Sequence, residues 1–128
     1  MKIFRWAVPF LAALGVYSSL DAATFLNTKA DWDRMSVVEQ SAYVMGAFDN
    51  SQMVRLGDGK NTFSTDLGRC VTDLGLTSKH MIDAVNAQYS DLSMWEFPPY
   101  AVLGMGLRKV CLAHINRARS ERGEAPLD

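Results

Sequence analysis

Residues 63–75 read FSTDLGRCVTDLG, and this stretch decides the fold. Five apolar side chains recur at the spacings of one α-helical face: Phe63, Leu67, Cys70, Val71 and Leu74. Ser64 or Thr65 carries the side-chain oxygen that caps the start of a helix, and Gly75 suits the left-handed residue that ends one. The stretch therefore predicts a helix whose buried face includes a cysteine.

Two further helices are predicted toward the C-terminus. Thr77 caps the first of them, whose apolar positions are Met81, Ile82, Val85 and Tyr89. Pro99 fits the first turn of the last helix, expected over residues 100–119, because its missing N–H is no loss there. The expected buried stripe of the last helix comprises Leu103, Leu107, Val110, Cys111, His114 and Ile115. Gly104 and Gly106 predict a close contact with a neighbouring helix.

A longer helix is predicted before residue 63. Ser36 and Glu39 have the spacing of a capping box, which opens a helix of about 14–18 residues that ends before Gly57. Its apolar positions include Val37, Val38, Val44, Met45 and Phe48. Gly46 costs about 1 kcal/mol in a helix interior, so we expect another helix to pack closely against it.

These elements predict an all-α fold, a small bundle of four main helices with one inter-helix disulfide. The helical domain is expected over residues 24–120, with residues 24–34 as an extended lead-in and residues 121–128 as a flexible C-terminal tail. Residues 1–23 have the basic start, apolar run and small-residue exit of a signal peptide. Cleavage is expected after Ala22 or Ala23, and an uncleaved N-terminal anchor is the alternative.

The two cysteines, Cys70 and Cys111, both lie on predicted apolar faces. In an oxidising compartment such a pair is normally bridged, and the alternative is two free thiols in the core of a cytosolic protein. Removal of residues 1–23 leaves 105 residues with a net charge of −2, without the basic excess of a nucleic-acid-binding domain. Neither nucleic acid nor, after signal removal, a membrane is an expected partner.

No sequence motif points to catalysis, a cofactor or a metal site. The chain lacks a phosphate-binding Gly-rich loop, a metal-binding helix motif and a Gly-x-Ser-x-Gly elbow. His80 is expected at the surface and His114 in the core, where a satisfied histidine is commoner than a catalytic one. Asp49 is expected to cap a helix end, with a hydrolase using His114 and Asp49 as the alternative. We therefore predict a protein that is not an enzyme.

Aromatic side chains near the double proline are the candidate partner-binding residues. Trp95 and Tyr100 flank that loop, and Trp32 precedes the first long helix. Tryptophan and tyrosine anchor many interfaces, and they also plug the open ends of small cores. Both readings stay open for Trp95, whereas Phe97 is expected in the core.

The order and spacing of several positions resemble the Rap/Tai family. The matching stretches are Tyr43-Val44-x-Gly46-x-x-Asp49, Gly75-Leu76-Thr77, Met81-Ile82-Asp83-x-Val85, Tyr89, Leu107 and Cys111. This resemblance implies a helical, periplasmic immunity protein that occludes the active-site cleft of a peptidoglycan amidase toxin. It also implies a homodimer, and it makes Tyr43, Gly46 and Asp49 fold-determining positions. The alternative function is a small periplasmic acid-stress chaperone of the HdeA type.

Overall fold

The computed structural model describes residues 26–58 and 62–128, and throughout these ranges the fold is all-α. Its elements are α1 (Lys29–Asp33), α2 (Val37–Asp58), α3 (Thr62–Asp73), α4 (Ser78–Tyr89), a 3₁₀ turn (Leu92–Met94) and α5 (Pro99–Glu121). The four long helices confirm the predicted bundle. The predicted signal peptide and its cleavage sites lie outside the described residues. Among the helices described, none is long and apolar enough to cross a membrane.

Helix α5 forms the centre of the bundle. It packs along both α3 and α4, while α2 contacts α3, α4 and α5. The largest fully buried side chains come from all the helices α1–α5 and include Trp32, Val44, Met81, Tyr89, Leu107 and Ile115. The core therefore lies between α5 and the three helices that surround it.

The predicted disulfide joins α3 to α5 inside this core. Cys70 and Cys111 are both fully buried, and their Cα atoms are 5.9 Å apart. That separation is in the usual range for a bridged pair. Both sulfurs point inward because each cysteine lies on the apolar stripe of its helix, as the sequence predicts. Such a bridge is consistent with an oxidising compartment.

A second close contact fixes the spacing of α4 and α5. A Cβ atom added to Gly106 would lie 2.8 Å from the carbonyl oxygen of Ala84, which is a backbone atom on α4. The predicted close packing is therefore correct at Gly106. It is wrong at Gly46 and Gly104, where an added Cβ would meet no atom within 4 Å.

Several predicted boundaries and stripes differ from the structure. Helix α2 runs for 22 residues through Gly57, because one glycine costs only about 1 kcal/mol and does not by itself end a helix. Leu74 is 54 % exposed, since α3 ends at a left-handed Gly75 and the N–H of Leu76 returns to the carbonyl of Val71. Leu76 then packs against the core in its place. Val110, expected in the core, is 51 % exposed.

The two ends of the domain are more structured than the sequence predicts. Residues 29–33 form α1 where an extended lead-in is expected, because Thr28 and Asp31 make a reciprocal capping box. Hydrogen bonds from Asn27 and Thr28 lower the pKa of Asp31. At the other end, residues 122–128 fold back along α5, with Leu127 half-buried against the core. The prediction of a flexible tail missed these contacts.

Gly106→Ala and Gly104→Ala are a matched pair of substitutions on one helix. We expect Gly106→Ala to lower the free energy of unfolding by about 1–3 kcal/mol, because α4 and α5 must move apart. Gly104→Ala should leave it unchanged or raise it by up to about 1 kcal/mol, since alanine favours a helix and open space receives the methyl group. Urea denaturation measures both values, and equal effects of the two substitutions would contradict the close contact.

Candidate functional site

Trp32, a predicted partner-binding residue, is fully buried in the structure. Its indole N–H donates to the side-chain oxygen of Asn86 on α4 at 2.8 Å, and its ring meets Tyr43 edge-on at 6.2 Å. Helix α1 turns the indole inward, so this side chain fixes α1 to the bundle. The prediction of a partner contact at Trp32 is wrong.

Trp95 is 43 % exposed and is held from three sides. Its indole N–H donates to the carbonyl oxygen of Tyr89 at 2.9 Å, and its own carbonyl accepts the N–H of Lys29 at 2.9 Å. The ammonium group of Lys29 lies 5.4 Å from the centre of the ring, within the range of a cation–π interaction. The exposed part of the indole is therefore presented in one orientation.

The segment that carries Trp95, residues 91–98, is fixed by its own hydrogen bonds. The carboxylate of Asp91 accepts the N–H of Ser93 at 2.9 Å, and this contact lowers the pKa of Asp91. The hydroxyl of Tyr89 donates to the carbonyl of Phe97 at 2.8 Å. The first bond caps the 3₁₀ turn inside the segment, and the second ties the end of the segment to α4.

Most apolar side chains of this segment face outward. Leu92 is 72 % exposed and Phe97 is 42 % exposed, whereas Met94 packs against the core. The prediction that Phe97 plugs the core is therefore wrong, because Met94 takes that role. We call Leu92, Trp95, Phe97 and Tyr100 the aromatic segment; Tyr100, at the start of α5, is 62 % exposed.

Tyr100 also borders an apolar cleft of about 280 Å³ between α2, α3 and α5. Phe48, Phe63 and Leu103 are among the side chains that line the cleft. The hydroxyls of Ser51 and Ser64, also in its lining, donate to the carbonyl oxygens of Phe48 and Ser51. The lining therefore favours apolar contact over acid–base chemistry.

The motif positions Tyr43, Gly46 and Asp49 do not act together in the fold. Tyr43 packs against the core, and burial raises the pKa of its hydroxyl. Gly46 and Asp49 are exposed on the outer face of α2, beside Met45, which is 42 % exposed. Asp49 lies nine residues before the end of the helix, so the predicted capping role is wrong.

The histidines have structural partners that the sequence did not reveal. His80 is exposed, as predicted, and its Nδ1 accepts the N–H of Thr77 at 3.0 Å, which caps α4. Nε2 of His114 lies 3.3 Å from the carboxylate of Asp73 on α3, and the side chain of His114 is 24 % exposed. His114 is thus only partly buried, and its described acidic partner is Asp73, whereas the alternative hydrolase hypothesis pairs it with Asp49.

One buried ion pair gave no sequence signal. Asp66 is 1 % exposed on α3, and both its oxygens accept hydrogen bonds from Arg122, at 3.0 and 2.7 Å. The pair raises the pKa of the Arg122 guanidinium above its ordinary value. Arg122 directly follows α5, so this ion pair fixes the end of α5 against α3. In the part of the chain that the structure describes, no three His, Cys, Asp or Glu side chains are grouped for a metal ion.

No family model, curated protein or solved structure matches this chain. We therefore infer the function from the geometry of the surface that the structure describes. Its principal feature is the aromatic segment, which combines exposure with fixed hydrogen bonds.

The hydroxyl of Tyr89 supports the aromatic segment in a pH-dependent way. Burial raises the pKa of Tyr89 to about 12, with smaller contributions from negative charge at Tyr43, Asp33 and Asp31. Because this value lies above the ordinary value of about 10, the neutral hydroxyl stabilises the fold fully below pH 10. The contribution is then lost as the pH rises toward 12.

We expect the free energy of unfolding to fall more steeply between about pH 10 and about pH 12 in the native chain than in Tyr89→Phe. At pH 8 the variant should be less stable by about 1 kcal/mol, because the carbonyl of Phe97 loses its donor. Denaturant titrations across this pH range measure both effects. Parallel pH profiles for the two proteins would show that Tyr89 does not support the segment in this way.

Proposed function

We propose that this chain is an exported, non-enzymatic binding protein that uses the aromatic segment to contact a protein partner. The observation that carries the proposal is Trp95, a residue that is 43 % exposed although its indole N–H and its carbonyl are both hydrogen-bonded within the chain. A side chain that serves only the core would not need to be held at the surface in this way.

Pre-organisation makes such a residue effective in binding. Binding energy concentrates in a few tryptophan, tyrosine and arginine side chains that lie in well-packed positions. Each flexible side chain that must be ordered on binding costs about 0.5–1.5 kcal/mol. The three contacts of Trp95 reduce that cost before the partner arrives. Leu92 and Phe97, on the same short segment, add apolar area beside it.

The partner class that we propose is a peptidoglycan amidase, which the resemblance to the Rap/Tai family implies. In this proposal the protein acts in the periplasm, and the aromatic segment covers the active-site cleft of the toxin. The buried Cys70–Cys111 bridge supports the proposed compartment, because disulfides persist in oxidising surroundings. The same resemblance implies a homodimer, and the exposed Met45 and Met53 of α2 are candidate apolar contacts for it.

Trp95→Ala tests this proposal in a binding assay with purified peptidoglycan amidases. Loss of the ring should weaken the binding of an amidase by about 2 kcal/mol, which is roughly 30-fold in Kd. Inhibition of the amidase should then need a correspondingly higher concentration of the variant. Val110→Ala is the control, because Val110 is also exposed but lies about 15 Å along α5 from Tyr100. The molar mass of the free protein in light scattering tests the homodimer. The immunity proposal fails if no amidase is bound or inhibited.

An acid-stress chaperone of the HdeA type is the second candidate, and the helix caps favour it. The hydroxyl and N–H of Ser36 lower the pKa of Glu39, and the N–H of Ser93 lowers that of Asp91. In the folded state the pKa of each carboxylate lies below its ordinary value of about 4. These carboxylates therefore stabilise the fold fully at pH values above about 4. Their contribution to the free energy of unfolding is lost as the pH falls through their pKa values in the folded state.

We therefore expect the unfolding free energy to decrease as the pH falls from about 5 to about 2, with Glu39→Gln showing a weaker dependence than the native chain. A chaperone of this type must in addition lose its tertiary packing and expose apolar surface in acid. Near-ultraviolet circular dichroism and binding of a hydrophobic dye measure this at about pH 2–3. A native spectrum without dye binding would dismiss the chaperone candidate.

A further inference from the structure

The tail, residues 123–128, is held to α5 mainly through its main chain. The side-chain amide of Asn116 pairs with both polar backbone groups of Leu127: its oxygen accepts the N–H at 2.7 Å and its nitrogen donates to the carbonyl at 3.0 Å. Arg119 donates to the carbonyl of Ala125 at 2.7 Å, and Arg108 donates to the main-chain oxygen of Asp128 at 2.7 Å. Three side chains of one helix thus bind an extended backbone.

Backbone-directed contacts of this kind are independent of the sequence that they hold. In peptide recognition, main-chain hydrogen bonds supply affinity, and pockets for individual side chains supply specificity. Here the specific contacts are at two positions of the tail. The side chain of Leu127 is half-buried against the core, and the carboxylate of Glu124 lies 3.1 Å from Arg119 and 2.6 Å from Arg122.

The apolar position has room beyond Leu127. An open depression of about 580 Å³ continues from it along α5, lined by Phe63, Ala101, Gly104 and Met105. Gly104 and Phe63 also line the cleft that Tyr100 borders. The surface under the tail is therefore one end of a longer apolar groove, and the tail covers only part of it.

We propose that this α5 surface is a recognition site for an extended peptide of another polypeptide, and that the tail occupies it as an intramolecular competitor. The chemistry of the site defines the peptide. It has an apolar residue at the Leu127 position and an acidic residue three positions before it, facing Arg119 and Arg122. The side chains that bind the main chain of the tail include no member of the aromatic segment, so this proposal stands or fails independently of the proposed function.

Gly123 makes exchange of the tail feasible. It has φ +75°, a left-handed conformation that lets the chain reverse direction directly after α5. The tail beyond it is exposed at Ala125, Pro126 and Asp128. Ordering these residues costs conformational entropy, which cancels much of the free energy gained from a few hydrogen bonds and one apolar side chain. A competitor needs to displace a short segment, without any change in the helices.

The test uses the full, oxidised chain with Leu127→Asp, which places a charge in the apolar position and releases the tail. The probe is the synthetic peptide Glu-Ala-Pro-Leu-Asp, which has the sequence of residues 124–128. The readout is the pair of side-chain amide signals of Asn116 in ¹⁵N–¹H correlation spectra, because that group pairs with the peptide backbone. Ala125→Asp is the matched control, since it adds the same charge at an exposed position and leaves the tail in place.

We expect the peptide to shift the Asn116 signals of the Leu127→Asp chain in a saturable way. Binding to the native chain and to Ala125→Asp should be weaker by about tenfold or more, because the tail competes for the site. The same peptide with aspartate in place of leucine should not bind. The proposal is overturned if Leu127→Asp shows no binding, if all three chains bind equally, or if the two peptides bind alike.

Gly123→Ala keeps the proposal testable if Leu127→Asp disturbs the fold. An added Cβ at Gly123 meets no atom within 4 Å, so the substitution acts only through strain at the positive φ angle. It should raise the open fraction of the tail and give a peptide affinity above that of the native chain. An affinity equal to that of the native chain would contradict the competition.

Discussion

The bridge between Cys70 and Cys111 is the constraint on which the remaining structure depends. It joins the last turn of α3 to the middle of α5 at a point that solvent does not reach. Helix α5 carries residues of both candidate surfaces. Tyr100 of the aromatic segment lies at its start, and Arg108 and Asn116 lie under the tail. Because a domain of this size has only a small net stability, one cross-link in the core accounts for a large part of it.

Rigidity at the core allows apolar groups to stay at the surface. The main-chain carbonyl of Tyr89, at the end of α4, accepts the indole N–H of Trp95, and the hydroxyl of Tyr89 donates to the carbonyl of Phe97. The exposed rings are thus positioned by a residue that is itself 2 % exposed. The same principle applies at the other end of α5, where the pair of Asp66 and Arg122 fixes the point from which the tail departs.

Features that depend on local periodicity could be predicted from the sequence. The stripes around Cys70 and Cys111, the stop at Gly75 and the start of α5 at Pro99 each follow from the spacing or backbone preference of neighbouring residues. Features that depend on distant partners could not. Trp32 is buried because Asn86, 54 residues away, accepts its N–H, and Asp66 meets an arginine 56 residues away.

The candidate surface was predictable in residue type and only partly in position. Trp95 and Tyr100 are the candidates near the double proline and both are exposed, although the sequence leaves two readings open for Trp95. Phe97 is exposed as well, because Met94 packs inward in its place. Sequence periodicity cannot choose between two apolar residues on an irregular segment. The peptide-like contacts of the tail are also invisible in sequence, because Asn116 binds main-chain atoms that every residue has.

The most direct test of this account is the free energy of unfolding with and without the bridge. Guanidinium denaturation should compare the oxidised chain with the double variant Cys70→Ala/Cys111→Ala under identical conditions. The bridge closes a separation of 41 residues, so we predict a loss of about 4 kcal/mol, with the remaining folded fraction still helical. An unchanged free energy of unfolding would show that the scaffold does not depend on the disulfide and would contradict the account.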